Sequence, residues 1–176
     1  MSDEKDENLK AVYQQLCDSY RAIDDFRAKL LGFLPLATSG IFLLSSINTK
    51  LDFLGSIGVL GSVVTLGLFC YELYAITKCH NLIVTGRQIE GQLGIAGQFR
   101  NRPREVARVI NEPFAAGIIY PAVLAAWMFL ALAFSPPQVA ALAPNASWIA
   151  FVVFLVGFAV TAFYNCWLGK RSEKLV

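Results

Sequence analysis

The sequence predicts an all-α integral membrane protein with four transmembrane helices, both termini on the cytoplasmic side and helical cytoplasmic extensions. Four apolar stretches contain no Asp, Glu, Lys, Arg or His, and each is about as long as a helix needs to cross roughly 30 Å of hydrocarbon. They are 30–47, 53–71, 113–134 and 146–168. Charged residues make up 16% of the chain, hydrophobic residues 56% and the mean hydropathy is +0.52. The four spans leave little chain for a separate soluble domain, so one membrane domain, 1–176, is expected.

The distribution of positive charge predicts the orientation of these spans. Of the 15 Lys and Arg, 14 lie in three segments, 1–29, 72–112 and 169–176; the hairpin between the first two spans holds only Lys50, and the loop 135–145 holds none. The positive-inside rule therefore places these three segments in the cytoplasm. The alternative, two helical hairpins in a soluble core, is disfavoured because 149–163 carries only Thr161 as a polar residue, whereas a soluble helix shows a polar face.

The first 29 residues predict an amphipathic helix that runs into the first span. Leu9, Leu16, Ile23 and Leu30 recur every seven residues, and Val12 and Phe26 occupy partner positions. This apolar seam fits packing on the protein's own cytoplasmic helix, or packing between subunits as a heptad seam does. The acidic start of the chain is not typical of a cleavable signal peptide, so the first span is expected to remain in the mature protein.

The segment 72–112 predicts a helix that continues the second span into the cytoplasm. Four glycines, each costing about 1 kcal/mol against Ala inside a helix, predict that it bends or ends within 86–99. They are Gly86, Gly91, Gly94 and Gly97. Pro103 suits the first turn of a short helix over 103–111.

A cluster of four arginines, Arg100, Arg102, Arg104 and Arg108, falls within nine residues of this segment. One interpretation is anchoring by lipid phosphates, and a second is pairing with the acidic N-terminal segment. The third is a receptor site for a phosphate-bearing ligand (a nucleotide, an oligonucleotide or an anionic lipid), because the planar guanidinium binds phosphate through two hydrogen bonds. No Walker-type or dinucleotide-binding glycine motif accompanies the cluster.

Polar residues in and beside the spans are candidates for an ion path. The stripe Gly55, Gly58, Ser62 and Thr65 fits close packing of one helix on another, a subunit contact or a pore lining. No span contains an ionisable residue, which argues against a proton-coupled carrier but not against a channel. The pore candidates are Asp24, Asp25, Asp52, Glu72, Ser62, Thr161 and Asn165. Acids at such positions are more often simply solvated helix ends.

No constellation of residues predicts an enzyme, a metal site or a cofactor. The sole histidine, His80, has no nucleophile beside it, and the four cysteines have no CxxC spacing.

The segments Phe26-Arg-Ala-Lys-Leu-Leu-Gly-Phe-Leu-Pro-Leu-Ala37 and Ile110-Asn-Glu-Pro-Phe-Ala115 look like parts of bacterial four-span membrane proteins. In architecture the chain resembles the membrane effectors of bacterial anti-phage systems, including the Hailong type. That resemblance implies an oligomeric ion channel of the inner membrane, controlled by a nucleotide or short oligonucleotide that a cytoplasmic partner enzyme makes.

Two functions are therefore expected from the sequence. The first is a homo-oligomeric ion channel or membrane-disrupting effector in the lipid bilayer, gated by an anionic ligand at the arginine cluster. The second is a non-conducting membrane scaffold or accessory subunit that docks a cytoplasmic partner.

Overall fold

The computed structural model describes residues 2–47, 53–101, 112–134 and 140–172, and these form helices joined by turns. The four α-helices are α1 (Ser2–Ile47), α2 (Leu54–Gln92), α3 (Glu112–Ala133) and α4 (Ala146–Ser172), and a 3₁₀-helix, Ala140–Asn145, precedes α4. Asp52, Arg102, Arg104, Arg108 and the predicted helix 103–111 lie outside the described residues.

Three of the described helical stretches are long and apolar enough to cross a membrane: Leu54–Gln92, Pro113–Ala133 and Leu142–Trp167. The remaining predicted span, 30–47, lies within α1, where side chains are described only as far as Gly40. With 46 and 39 residues, α1 and α2 are about 69 Å and 58 Å long, roughly twice the thickness of a hydrocarbon core. The sequence prediction that both continue beyond an apolar span as single helices is confirmed.

The third helix lies at the centre of the bundle, packing against α1, α2 and α4, while α2 and α4 barely meet. Its buried face includes Tyr120, Trp127 and Leu130, which form a hydrophobic core with Leu34 of α1 and Phe69 of α2. An all-apolar helix such as α3 is stable only when neighbours or lipid surround it, which explains its central place.

Small residues bring the helices of this bundle close together. A Cβ on Gly58 would lie 2.8 Å from Ala131 Cα and 2.9 Å from the Trp127 carbonyl oxygen, so the backbones of α2 and α3 are in contact there. On the other side of α3, Gly157 of α4 packs against Pro121. Of the three interpretations of the small-residue stripe, packing within one chain is the one that the structure shows.

The apolar seam of α1 also packs on the protein's own α2. Leu16 is buried in a cluster with Ile89 and Phe99, and Leu9 and Ile83 pack at its edge. Val12 and Phe26, at the partner positions of the heptad, are instead about half exposed. We call this part of the molecule, 2–26 of α1 with 77–92 of α2, the stalk.

Candidate functional site

A buried ion pair joins α1 to α2 where the stalk meets the bundle. The Nε and Nη2 atoms of Arg27 donate to Glu72 Oε1 at 2.9 and 2.6 Å. The two side chains are 4% and 1% exposed. Removing two charges from water is costly, so such a pair persists only where the geometry is good and the surrounding packing holds it.

This ion pair lies level with the apolar segments of α3 and α4. Phe69, three residues before Glu72, contacts the ring of Tyr120, with ring centroids 6.0 Å apart. Because α3 runs antiparallel and its apolar segment begins at 113, Glu72 lies about 6 Å inside the end of that segment. Further along α2, Thr77 hydrogen-bonds to the Tyr164 hydroxyl of α4, which is also within an apolar segment.

That position corrects one interpretation from the sequence, because Glu72 is not a solvated helix end. It also places an ionisable pair level with the apolar helices, although no span contains a charged residue in sequence. Arg27 is likewise buried. Ionisable groups at membrane depth are costly and commonly mark functional paths, which makes this pair a candidate site.

Within the part of the chain that the structure describes, two buried polar atoms beside the bundle core have no hydrogen-bond partner: Glu72 Oε2 and the Tyr120 hydroxyl. Tyr120 is 0% exposed. A buried unsatisfied polar group costs about 1–3 kcal/mol, so the arrangement around Glu72 is less stable than a fully bonded one.

The other described pore candidates lie away from this ion pair or at the surface. The hydroxyls of Ser62 and Thr161 donate to carbonyl oxygens of their own helices, at 2.8 and 3.0 Å, and both residues are buried between helices of one chain. Asp24 and Asn165 are half-buried and Asp25 is exposed. None of these described residues hydrogen-bonds to Glu72, whose partner is Arg27.

A second carboxylate, Glu90, joins α2 to α1 at the far end of the stalk. It is 0% exposed. Its Oε1 accepts hydrogen bonds from the Tyr13 hydroxyl at 2.8 Å and the Phe99 N–H at 2.9 Å, and its Oε2 accepts one from the Arg100 N–H at 2.9 Å. We call this arrangement the Glu90 cap. The pKa of Tyr13 is raised mainly by burial and, to a smaller extent, by the hydrogen bond to Glu90. The hydroxyl therefore stays protonated and donates to the carboxylate.

The turn that follows α2 is shaped to reach the Glu90 cap. The helix ends at Gln92, within the range that the glycines predict, and Gly94 has φ +67, a conformation that favours glycine. Gly97 lies against Glu90 and Tyr13 with no room for a Cβ. Phe99 is buried over Gly86, with the rings of Tyr13 and Tyr20 edge-on to it.

Glu72 and Glu90 face the same side of α2. They are 18 residues apart, which is five full turns, so both carboxylates point toward α1 about 27 Å from each other. Among the described residues, α1 is bound to α2 through Arg27 and through Tyr13. Of the predicted arginine cluster, Arg100 is the described member; its backbone belongs to the Glu90 cap and its side chain is exposed.

Sequence reasoning missed Glu90 and Tyr13. One signal was present: an acid in the last turn of a helix is disfavoured by the partial negative charge at that end, so Glu90 needs another stabilising contact. The described residues contain no group of three or more His, Cys, Asp or Glu that could hold a metal ion.

His80 lies on the stalk, and burial, followed by the charge of Arg87, lowers its pKa. The folded state therefore resists protonation while the unfolded state takes up a proton near the ordinary histidine pKa of about 6.5. Stability should fall as the pH drops below about 6.5, since the unfolded state then binds more protons. Thermal unfolding from pH 7.5 to 5.5 should show a smaller acid-side loss in His80→Asn than in the parent chain; equal losses would contradict this assignment.

Comparisons with known proteins leave the structure as the basis for function. No protein-family model matches the chain, and no curated protein or solved structure matches it.

Proposed function

We propose that the chain is a subunit of a homo-oligomeric ion channel or membrane-disrupting effector, gated by an anionic ligand on its cytoplasmic face. The observation that carries the proposal is the Arg27–Glu72 ion pair at the depth of the apolar helices. A pair of this kind stabilises one packing of α1 on α2, and its separation would leave two charges beside the bundle. It is therefore the kind of element that a closed–open equilibrium can use.

The proposed placement is a four-span protein of the bacterial inner membrane with both termini in the cytoplasm. The bundle presents large apolar side chains outward, as lipid or a neighbouring subunit requires; Trp148 is 70% and Phe163 is 74% exposed. The positive-inside rule then puts the stalk in the cytoplasm, together with the turn 93–101 that follows α2 and that we call the Arg100 turn. A single subunit of four helices encloses no wide path, so assembly of several copies is part of the proposal.

In this placement the Arg100 turn lies beyond the reach of lipid headgroups. Thr77 contacts Tyr164, four residues before the apolar segment of α4 ends at 168. Glu90 is 13 residues beyond Thr77 along α2, which places it about 14 Å beyond the end of that segment. The interfacial layer of a bilayer is only about 6 Å thick on each side. This distance favours a soluble anion, such as a nucleotide or short oligonucleotide from a partner enzyme, over lipid anchoring at Arg100. Since α2 is one continuous helix, it connects that turn to Glu72.

Potassium efflux from liposomes containing the purified full chain tests the conduction proposal. Glu72→Gln should raise basal efflux about tenfold, the change produced by a shift of about 1.4 kcal/mol in a closed–open equilibrium. Arg21→Gln is the matched control, because Arg21 also pairs with an acid, Asp18, but on the exposed surface of the stalk. The channel proposal would be rejected if the chain is a monomer in detergent and if liposomes containing either the parent chain or Glu72→Gln release no potassium.

The alternative is a non-conducting scaffold or accessory subunit that docks a cytoplasmic partner. The observation that favours it is the pair of half-exposed apolar side chains Val12 and Phe26 on the stalk, although the Phe26 ring is also edge-on to Tyr71 of α2. Silent liposomes together with loss of partner binding in Val12→Asp would support this function instead.

A further inference from the structure

We propose that the backbone turn at Phe99 and Arg100 is a binding site for a soluble oxyanion, and that Glu90 is an internal competitor occupying it. The oxyanion is a phosphate ester or phosphate. The inference deepens the proposed function and rests on it for the ligand's role in gating, whereas the binding step is tested on its own.

The donors around Glu90 are those of an oxyanion site. Two consecutive backbone N–H groups, of Phe99 and Arg100, and the Tyr13 hydroxyl converge on one carboxylate. Successive N–H groups in a turn are a common cradle for phosphate oxygens. Gly97 allows the oxygen to approach closely, since a side chain there would collide with Glu90.

Two arginines lie beside these donors. The Arg87 Nε donates to the Phe99 carbonyl oxygen at 3.1 Å, and the Arg100 guanidinium lies over Gly91. Both side chains are exposed, so both can turn toward an incoming anion. A phosphate would gain charge-assisted hydrogen bonds from arginine that the Glu90 carboxylate lacks.

An anion that binds these donors more strongly can displace the Glu90 carboxylate. It is fully buried, and among the described residues no Lys, Arg or His nitrogen lies within 4.0 Å of its carboxylate. Burial of a carboxylate without a cation is costly, and three hydrogen bonds offset only part of that cost. Release of Glu90 to water recovers its solvation, which reduces the work of displacing it.

Displacement would also remove a contact between α1 and α2. Tyr13 binds Glu90 from α1, so an anion that expels Glu90 breaks this direct bond between the two helices and takes the Tyr13 hydroxyl as its own donor. Binding at the turn would therefore change the packing of α1 on α2 in the stalk, on the face of α2 that also carries Glu72.

Hydrogen exchange of the full chain in nanodiscs, read on peptides covering 93–101, tests the site. In Glu90→Ala the amides of Phe99 and Arg100 should lose protection, and inorganic phosphate should restore it. Potassium chloride at matched ionic strength should not. In the parent chain, half-maximal response should need at least about tenfold more phosphate, because Glu90 competes. Glu90→Gln keeps the shape of the side chain and a hydrogen-bond acceptor. Its half-maximal response should therefore need a phosphate concentration between those of Glu90→Ala and the parent chain.

Glu7→Gln, which neutralises an exposed acid on the same stalk, is the control and should behave as the parent chain. If phosphate restores no protection in either Glu90 variant, or chloride restores it equally, the oxyanion site is rejected. Protection that returns without phosphate in phosphatidylglycerol nanodiscs, but not in phosphatidylcholine ones, would identify a lipid headgroup and overturn the soluble ligand. Hydrogen exchange reports binding, whereas potassium efflux reports conduction. A negative exchange result would therefore reject the oxyanion site without rejecting the channel.

Discussion

Replacing Arg27 with Met is expected to lower the free energy of unfolding by about 3–5 kcal/mol, because Glu72 is then left as an uncompensated buried charge. The double variant Arg27→Met with Glu72→Met should recover most of that loss, since apolar side chains of similar volume replace a buried pair at little cost. Unfolding of the purified chain in mixed detergent micelles, carried through a full double-mutant cycle, measures the coupling.

The control for this cycle lies on the same helix. Arg21 pairs with Asp18 at 3.9 Å, with both side chains well exposed, and Arg21→Met should cost less than about 1 kcal/mol. An Arg27→Met variant as stable as Arg21→Met would show that the ion pair contributes little and that Glu72 is reached by water.

Replacing Gly58 with Ala should destabilise the bundle by about 1–3 kcal/mol, the usual cost of overpacking. The added Cβ meets the backbone of Ala131 and the Trp127 carbonyl of α3, and backbone atoms cannot swing aside as a side chain can. The same unfolding measurement reports the change.

Gly67→Ala makes the same chemical change on the same helix and is the matched control. Apart from the neighbouring backbone of α2 itself, no atom of the described residues lies within 4 Å of a Cβ at Gly67, so Ala there should be neutral or stabilise α2 by up to about 1 kcal/mol. Equal effects at Gly58 and Gly67 would mean that α2 and α3 are not in the close contact described. A loss at Gly67 alone would instead point to a neighbouring subunit at that face.

Several elements of the fold could be predicted from the sequence because their signals are local. Long apolar runs predict helices of membrane-crossing length, and the absence of Pro or Gly after Tyr71 predicts the continuation of α2. The glycines after Val84 predict its end, which falls at Gln92. Each of these depends on the residues within a turn or two.

The site is harder to predict because it depends on how four helices are staggered. In sequence, Glu72 follows an apolar run and has the pattern of a helix end at the edge of a membrane. Its burial depends on α3, whose apolar segment extends past it, and on Arg27, 45 residues away. The Glu90 cap likewise needs Tyr13, 77 residues away, and a turn whose N–H groups point back toward α2.

The sequence by itself determined an all-helical chain whose apolar stretches are long enough to cross a membrane, with two of its helices extended well beyond them. Composition and hydropathy along one helix are enough for that, because each helix satisfies its own backbone. Only the tertiary structure decided where the charges are buried. The free energy of a charge depends on what surrounds it in three dimensions, and for Arg27, Glu72 and Glu90 those surroundings come from other helices and from the turn at Phe99.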